Sequence, residues 1–331
     1  MKLIKPSFKI WNQPAGLEGV YKQIEKAAKI CYKSEGNITE GSAKPFIDNV
    51  LMKRGHLSPL EHGTVYLRIP TGLMAEVNQP YFKYLFNPYS KAICKYVPLD
   101  GYIYVTTNYR VLVENSWLDD LQYICEPTEC HEKRITVHFV CDRGVSHEFV
   151  RHRVMSFAQE STRYCNYSKD KFGNELTFIQ PCWLEDYNYK DNTYNQLFID
   201  SLRFAEAHYL DLLKKWDDKI PDKRYKTGFR NNPWTPQQAR AVLPNSLKTE
   251  LVMTGFVNDW WGEYLVIDKS TGLIDQRIHG KFYSETNNID IEKYRIVEKG
   301  FFPLRCSKGA HPQAQELAIP LRQEFIDKKI W

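Results

Sequence analysis

The densest run of chemically capable side chains lies between Arg151 and Tyr164. Arg151, His152 and Arg153 stand in a row, and Gln159, Glu160, Ser161, Thr162, Arg163 and Tyr164 follow closely. Guanidinium groups stay charged and grip phosphates and carbonyl edges in forked geometry. A His between two of them can hydrogen-bond or stack, and hydroxyls with backbone amides complete an anion pocket. The segment therefore reads as a site for one or two phosphorylated ligands. Taken alone, an Arg-His-Arg triplet is more often a solvated basic helix end that suits the helix dipole. The Ser and Arg that follow shift the balance toward a site.

The elements that must position this run are legible around it. Ile135 to Cys141 alternates like a strand. Asp142 can then cap a helix through Ser146, Phe149 and Val150, which puts Arg151, His152 and Arg153 at or just beyond its end. Upstream, Gly16 to Lys33 reads as an amphipathic helix with Val20, Ile24, Ala27, Ala28 and Cys31 on one stripe. A second helix spans Lys44 to Lys53 and ends near Gly55. Thr64 to Ile69 and Tyr102 to Thr107 read as strands, and Tyr109 to Tyr123 as helical. Downstream, Asn195 to Trp216 is a long amphipathic helix. Thr235-Pro236 starts another that carries Arg240, and Glu316 to Ile326 is the last. Tyr264 to Asp268, a Ser-Thr-Gly turn at 270–272 and Leu273 to Ile278 read as a hairpin. Pattern alone supports a mixed α/β domain without internal repeats or a convincing linker.

Arg-His-Arg followed by seven residues and a Ser (Arg151 to Ser161), with Arg163-Tyr164 beyond, resembles the signature of flavin-dependent thymidylate synthases. Three further segments agree with it in the family's order. Gly55-His56-Leu57-Ser58-Pro59-Leu60-Glu61-His62 is similar to the family's Gly-His, Thr/Ser-Pro, Glu-His stretch before a strand. Arg240 to Pro244 looks like its Ala-Arg-x-x-Leu-Pro segment. Phe301 to Arg305, followed by Ala310 to Ala314, looks like its Leu-Arg and the helix start after it. The resemblance covers about 15–69 and 135–259 and resumes at Phe301. Outside it lie two stretches, about 70–134 and about 262–299, which read as insertions in one domain of 1–331. The resemblance implies an α/β (α+β) fold with a central sheet flanked by helices.

The same resemblance implies reductive methylation of dUMP to dTMP, with FAD as hydride carrier, NADPH as reductant and methylenetetrahydrofolate as one-carbon donor. A flavin suits this because side chains cannot carry hydride. It implies that Arg151 bridges dUMP and the flavin and that His152 and Arg153 bind FAD. Ser161, Thr162 and Arg163 would hold dUMP, chiefly its phosphate, and Arg240 the same nucleotide. Arg305 would sit at the uracil edge and stabilise developing charge; it and Arg151 are the catalytic candidates. Ser58 and Glu61 would line the flavin site, and His56 would touch flavin or folate. Gln159, Asn258 and His311 complete the candidate cofactor set. Glu148, Gln159 and Glu160 complete the nucleotide set, although the family often has Gln at the position of Glu148 and Glu at that of Gln159, the acid being displaced here to Glu160. Active sites between subunits of a homotetramer are also implied.

Bulk properties are compatible with this. In 331 residues, 43% hydrophobic and 26% charged, there is enough to bury a core and too much hydrophobicity for a disordered chain. Met1 to Ile10 alternates Lys with apolar residues, unlike a signal peptide, and no apolar run approaches a membrane span, so a cytoplasmic enzyme with no membrane partner is expected. The net charge of +5 fits an electropositive cleft and does not demand nucleic acid. The competing class is a phosphate- or nucleic-acid-binding module, which basic charge and 21 Tyr would suit. Against it, the basic residues are interspersed with acids and no nucleic-acid motif appears. A family member that has lost activity is a third reading. Cys125, Cys130, His131, His138 and Cys141 cluster in sequence but lack paired zinc spacing, so no metal is expected.

Overall fold

The computed structural model describes residues 1–70, 81–93, 101–169, 172–184, 193–214, 233–273, 275, 290 and 292–330. Its strands are β1 (Lys2–Ile4), β2 (Ser7–Trp11), β3 (Thr64–Pro70), β4 (Lys91–Ile93), β5 (Tyr102–Asn108) and β6 (Arg134–Asp142). They continue with β7 (Ser156–Gln159), β8 (Thr177–Ile179), β9 (Lys248–Phe256), β10 (Glu263–Asp268) and β11 (Tyr294–Lys299). The α-helices are α1 (Gly16–Tyr32), α2 (Ala43–Phe46), α3 (Phe82–Leu85), α4 (Tyr109–Glu114), α5 (Arg143–Phe149) and α6 (Thr193–Leu212). After them come α7 (Pro236–Ala239), α8 (Val257–Trp261), α9 (Phe301–Cys306) and α10 (Pro312–Asp327).

Two long antiparallel strands make the centre. β6 and β9 pair from Arg134↔Phe256 to Asp142↔Lys248, with β2 on the far side of β6 and β7 on the far side of β9. Period-2 alternation sends Val137, Phe139, Cys141, Leu251 and Met253 to one face. There they meet Phe149 of α5, Trp260 and Trp261 of α8, Phe301 and Phe302 of α9 and Phe325 of α10. Val252 and Ala158 face the other way, against Ala27 and Ile30 of α1. A sheet with helices on both faces is the mixed α/β arrangement the sequence implied.

α1 serves two sheets at once. Its Val20, Ile24 and Ala28 pack on Val65, Leu67, Ile103 and Val105 of β3 and β5, in a second sheet of order β3-β5-β4. Thus part of the 70–134 stretch completes the sheet begun by Thr64–Pro70. A third cluster joins Phe178 of β8 to Leu202 and Tyr209 of α6.

Several local expectations need correction. The helix expected at 44–53 is a single α-turn, Ala43–Phe46, continued as a π-helix over Ile47–Met52. It ends where expected: Gly55 has φ +67°, and the His56 N–H donates to the Leu51 carbonyl at 2.9 Å. The helical run at 109–123 is broken. Asn115 donates its side-chain amide back to the Val111 carbonyl and Ser116 takes a positive φ, so α4 stops and a 3-10 helix begins at Leu118. The last helix starts four residues earlier than expected, with Pro312 at its first turn. The helix expected at 195–216 is α6, which starts at Thr193 and gives way to a turn after Leu212.

The hairpin exists with a different partner. β10 pairs with Tyr294–Lys299, in the register Glu263↔Lys299 to Asp268↔Tyr294. The run from Leu273 to Ile278 is described only at Leu273 and Asp275, which bond back to Asp268 and Val266. At the neck of the hairpin Gly262 and Gly300 are pressed together. A Cβ on Gly262 would lie 2.0 Å from the Lys299 carbonyl oxygen. That contact closes the neck and lets Trp260 meet Phe301 with ring centroids 5.0 Å apart.

Candidate active site

The Asp142 carboxylate accepts from the Val145 N–H at 2.7 Å and caps α5, as the sequence indicated. Just past the helix, Arg151 and Arg153 are exposed, whereas His152 is only 7% exposed. Its ring packs against Phe301, centroids 5.1 Å apart. The same aromatic cluster seats α9 and so delivers Arg305. Arg305 donates Nε–H to His152 Nε2 at 2.9 Å, Nη1 to Glu148 Oε2 at 2.5 Å and Nη2 to the Glu148 carbonyl at 2.7 Å. Burial, then the charges of Arg305 and Arg151, push the His152 imidazole down to about 4, so it is neutral and can accept the Arg305 proton. Glu148, His152 and Arg305 thus form one constellation from two segments 157 residues apart.

A second group is built on β7 and the turn after it. The Gln159 side-chain amide donates to Ser146 Oγ at 2.9 Å and Thr249 Oγ1 at 3.2 Å, tying β7 to α5. Ser161 Oγ accepts from the Arg163 N–H, and Thr162 Oγ1 accepts from Arg240 Nη1 at 3.3 Å. Arg163 Nε–H donates to Gln237 Oε1 at 3.0 Å. The two exposed guanidinium groups of Arg163 and Arg240 and the hydroxyls between them are therefore neighbours. Glu160 departs from its expected role as a nucleotide ligand. It is 3% exposed and turned inward, where Lys248 donates to it at 2.9 Å and the Tyr167 hydroxyl at 2.9 Å.

The third group is the turn after Gly55. His56 Nδ1 shares a 2.5 Å hydrogen bond with the Tyr32 hydroxyl, and the Tyr32 ring lies 5.7 Å from that of Tyr164. Glu61 is paired with Arg110 of α4 at 2.6 Å. Groups two and three face each other across a cleft of ≈ 540 Å³. His56, Ser58, Arg110, Gln159, Ser161 and Tyr164 line it, with Cys31 and Tyr32 at the end of α1. Rings suited to stacking and polar donors share the one space, the chemistry a flat phosphorylated ligand requires.

Two expected cofactor residues lie elsewhere in the chain. Asn258 donates to Glu132 at 3.3 Å and lines a separate cleft with Trp11, His131 and Lys328. His311 stands at the start of α10 against the Trp183 ring, at 5.8 Å. His131 hydrogen-bonds with the Leu67 carbonyl, and His138 with Glu250. Among the described residues no group of three His, Cys, Asp or Glu could hold a metal ion, and no helix is long and apolar enough to cross a membrane.

Sequence reasoning missed Tyr32, Cys31 and Arg110. Tyr32 and Cys31 closed a helix whose interest was its apolar stripe, and Arg110 lies in a stretch set aside as an insertion. It also missed Gln237, which the Thr235-Pro236 helix start could have drawn attention to.

Residues 128–264 match the family model described as thymidylate synthase complementing protein. Through this segment the chain is similar to that family. Over 118 residues it is 33% identical to the flavin-dependent thymidylate synthase of Mycolicibacterium gilvum, a match covering 36% of this chain and 42% of that protein. The enzymes of the same name from Mycolicibacterium vanbaalenii and Mycobacterium tuberculosis are 30% and 32% identical over the same length. The match thus spans less than half the length of these relatives. Among solved structures, a UMP/dUMP methylase PolB from Streptomyces cacaoi bound with 5-Br dUMP is 17% identical, with a TM-score of 0.30, covering 78% of this chain and 76% of that one. The matched segment contains Arg151 to Tyr164, Lys248 and Arg240, and ends before Arg305.

Proposed function

We propose that this chain is a flavin-dependent thymidylate synthase that converts dUMP to dTMP, with methylenetetrahydrofolate as one-carbon donor and NADPH as reductant. The observation that carries the reading is the cleft that joins His56 and Ser58 to Gln159, Ser161 and Tyr164, two stretches more than 100 residues apart in the chain. The residues present suit a flavin: ring faces from His56, Tyr32 and Tyr164 for a flat heterocycle, and the exposed Arg151 and Arg153 for anionic groups. Bound FAD would supply the hydride that no side chain can carry.

The remaining roles belong to the protein. Ser161, Thr162, Arg163 and Arg240 hold the nucleotide phosphate through hydroxyl, amide and guanidinium donors. Arg305 has five N–H donors, of which three are used on His152 and Glu148, leaving two for the uracil edge. Fixed in this way, it meets developing negative charge without reorganising. His152 acts by orienting Arg305 and filling the space behind it. Ser58 and Glu61 stand on the flavin side, with Arg110 holding the Glu61 carboxylate. Asn258 and His311 serve sites completed by other subunits of a homotetramer, which accounts for their distance from the cleft of their own chain.

The test is ligand binding. The purified chain, mixed with FAD, should retain a yellow chromophore whose spectrum shifts on adding dUMP. Ser161→Ala and Arg163→Ala should weaken the dUMP response and leave flavin retention intact. A chain that retains no flavin overturns the proposal and favours a phosphate-binding or nucleic-acid-binding module.

A further inference from the structure

Beneath the Ser161–Arg163 turn lies a buried charge cluster that the proposed chemistry does not use. Lys248 Nζ sits 2.9 Å from Glu160 Oε2 and 2.6 Å from Glu250 Oε1. Lys33, at the C-terminal end of α1, also contacts Glu250 Oε1, and His138 Nε2 lies 2.9 Å from Glu250 Oε2. Glu160 is completed by the Tyr167 hydroxyl. Burial works against the Glu250 carboxylate, but the His138 hydrogen bond and the Lys248 and Lys33 charges overcome it and hold it well below the usual carboxylate range.

Strand geometry explains how the cluster reaches the turn. Along β9 side chains alternate, so Lys248 and Glu250 share one face and Thr249 takes the other. Gln159 bonds to Thr249 while Glu160 bonds to Lys248, so consecutive residues of the incoming chain are anchored on opposite faces. The backbone adds two ties. The Glu160 N–H donates to the Glu250 carbonyl at 2.9 Å, and the Ser161 N–H to the Cys31 carbonyl at 3.2 Å. Lys33 also reaches Glu35 at 3.3 Å on the outer side of the cluster, and deleting Lys248 or Glu160 leaves a buried charge short of its partner.

We propose that Lys248 and Glu160 are a positioning pair: their buried ion pair, braced by Glu250, Lys33 and Tyr167, fixes the arrangement of Ser161, Thr162 and Arg163 that grips a nucleotide phosphate. The inference rests on the dUMP reading above and adds two residues that touch no ligand. It also gives the acid at Glu160 a use. Displaced one residue along the chain, it anchors the turn and leaves the cleft to neutral donors.

The experiment uses the full flavin-loaded chain and the variants Lys248→Met, Glu160→Gln and Lys248→Arg. Hydrogen exchange is followed on the amides of 160–165, and dUMP binding is measured by calorimetry. Lys248→Met and Glu160→Gln should speed exchange of these amides and weaken dUMP binding roughly tenfold or more, as misplaced ligand-binding groups do. Turnover at saturating dUMP should stay within about twofold, because the loss is in ground-state binding. Lys248→Arg keeps the charge and should restore most of the affinity. Unchanged exchange and affinity in both disruptive variants would overturn the inference. So would a fall in turnover with affinity intact. A wild-type chain that binds no dUMP refutes the substrate reading instead, and the exchange rates still decide whether the pair holds the turn.

Discussion

Acidification should destabilise the fold through His152 in a defined window. The imidazole is buried against Phe301, accepts the Arg305 Nε–H and has its pKa pushed from 6.5 to about 4. Between those values the unfolded chain binds a proton at this position and the folded chain does not, so stability falls as pH drops from about 6.5 toward 4 and is level above the window. Two and a half pH units at about 1.4 kcal/mol each give about 3.5 kcal/mol in full, of which about 3 kcal/mol is lost by pH 4, where the folded group is half protonated. Physically, a proton on Nε2 removes the acceptor of Arg305 and sets two cations in contact. The assay is urea unfolding followed by tryptophan fluorescence at several pH values for wild type and His152→Asn. His62, also fully buried and pushed down to about 3, titrates in the same direction in both proteins and cancels in the difference. The wild-type advantage over the variant should shrink by about 3 kcal/mol between pH 7 and pH 4. A difference that stays flat, or grows toward acid, refutes the reasoning, as would an NMR titration that finds His152 protonated at pH 6.

Other consequences follow from the same geometry. Arg305→Lys cannot reproduce the forked contacts to Glu148 and His152, so dTMP formation should fall about 100-fold or more in kcat/KM with dUMP affinity less affected. Trp260→Ala empties a fully buried site between Phe139, Phe301 and Phe325 and should lower unfolding stability by about 3–5 kcal/mol in urea titrations. Arg110→Ala removes a guanidinium from the cleft wall and leaves Glu61 without that partner, and it should weaken FAD retention in equilibrium dialysis, while the dUMP-side variant Arg163→Ala should not.

Much of the scaffold was legible because it is local. Alternation in Ile135 to Cys141 and Thr64 to Ile69 marked β6 and β3, and Asp142 announced its own capping role. Around the site, the Gly55 turn presents His56, and Thr235-Pro236 starts a helix as expected, but that helix ends at Ala239 and Arg240 sits on the 3-10 turn after it. What could not be read was long-range pairing. The partner of Glu160 is Lys248, 88 residues away, and nothing local distinguishes an acid that points into the cleft from one that points inward. The hairpin failed for the same reason. The nearest apolar run, from Leu273, looked a sufficient partner for β10, but the ladder closes with Tyr294–Lys299, where Gly262 and Gly300 permit the contact. Likewise Arg110 gained its place only when β5 paired with β3 and brought α4 to the cleft.

The most direct test of the central claim is an omission series. Wild-type protein is incubated anaerobically with FAD, NADPH, methylenetetrahydrofolate and dUMP, and dTMP is quantified by chromatography. dTMP should form in the complete mixture and vanish when dUMP, the folate or NADPH is withheld, and when Arg151→Ala replaces the wild type. No dTMP from a chain that has bound both FAD and dUMP would contradict the proposed reaction, and so would dTMP formed equally well without reductant.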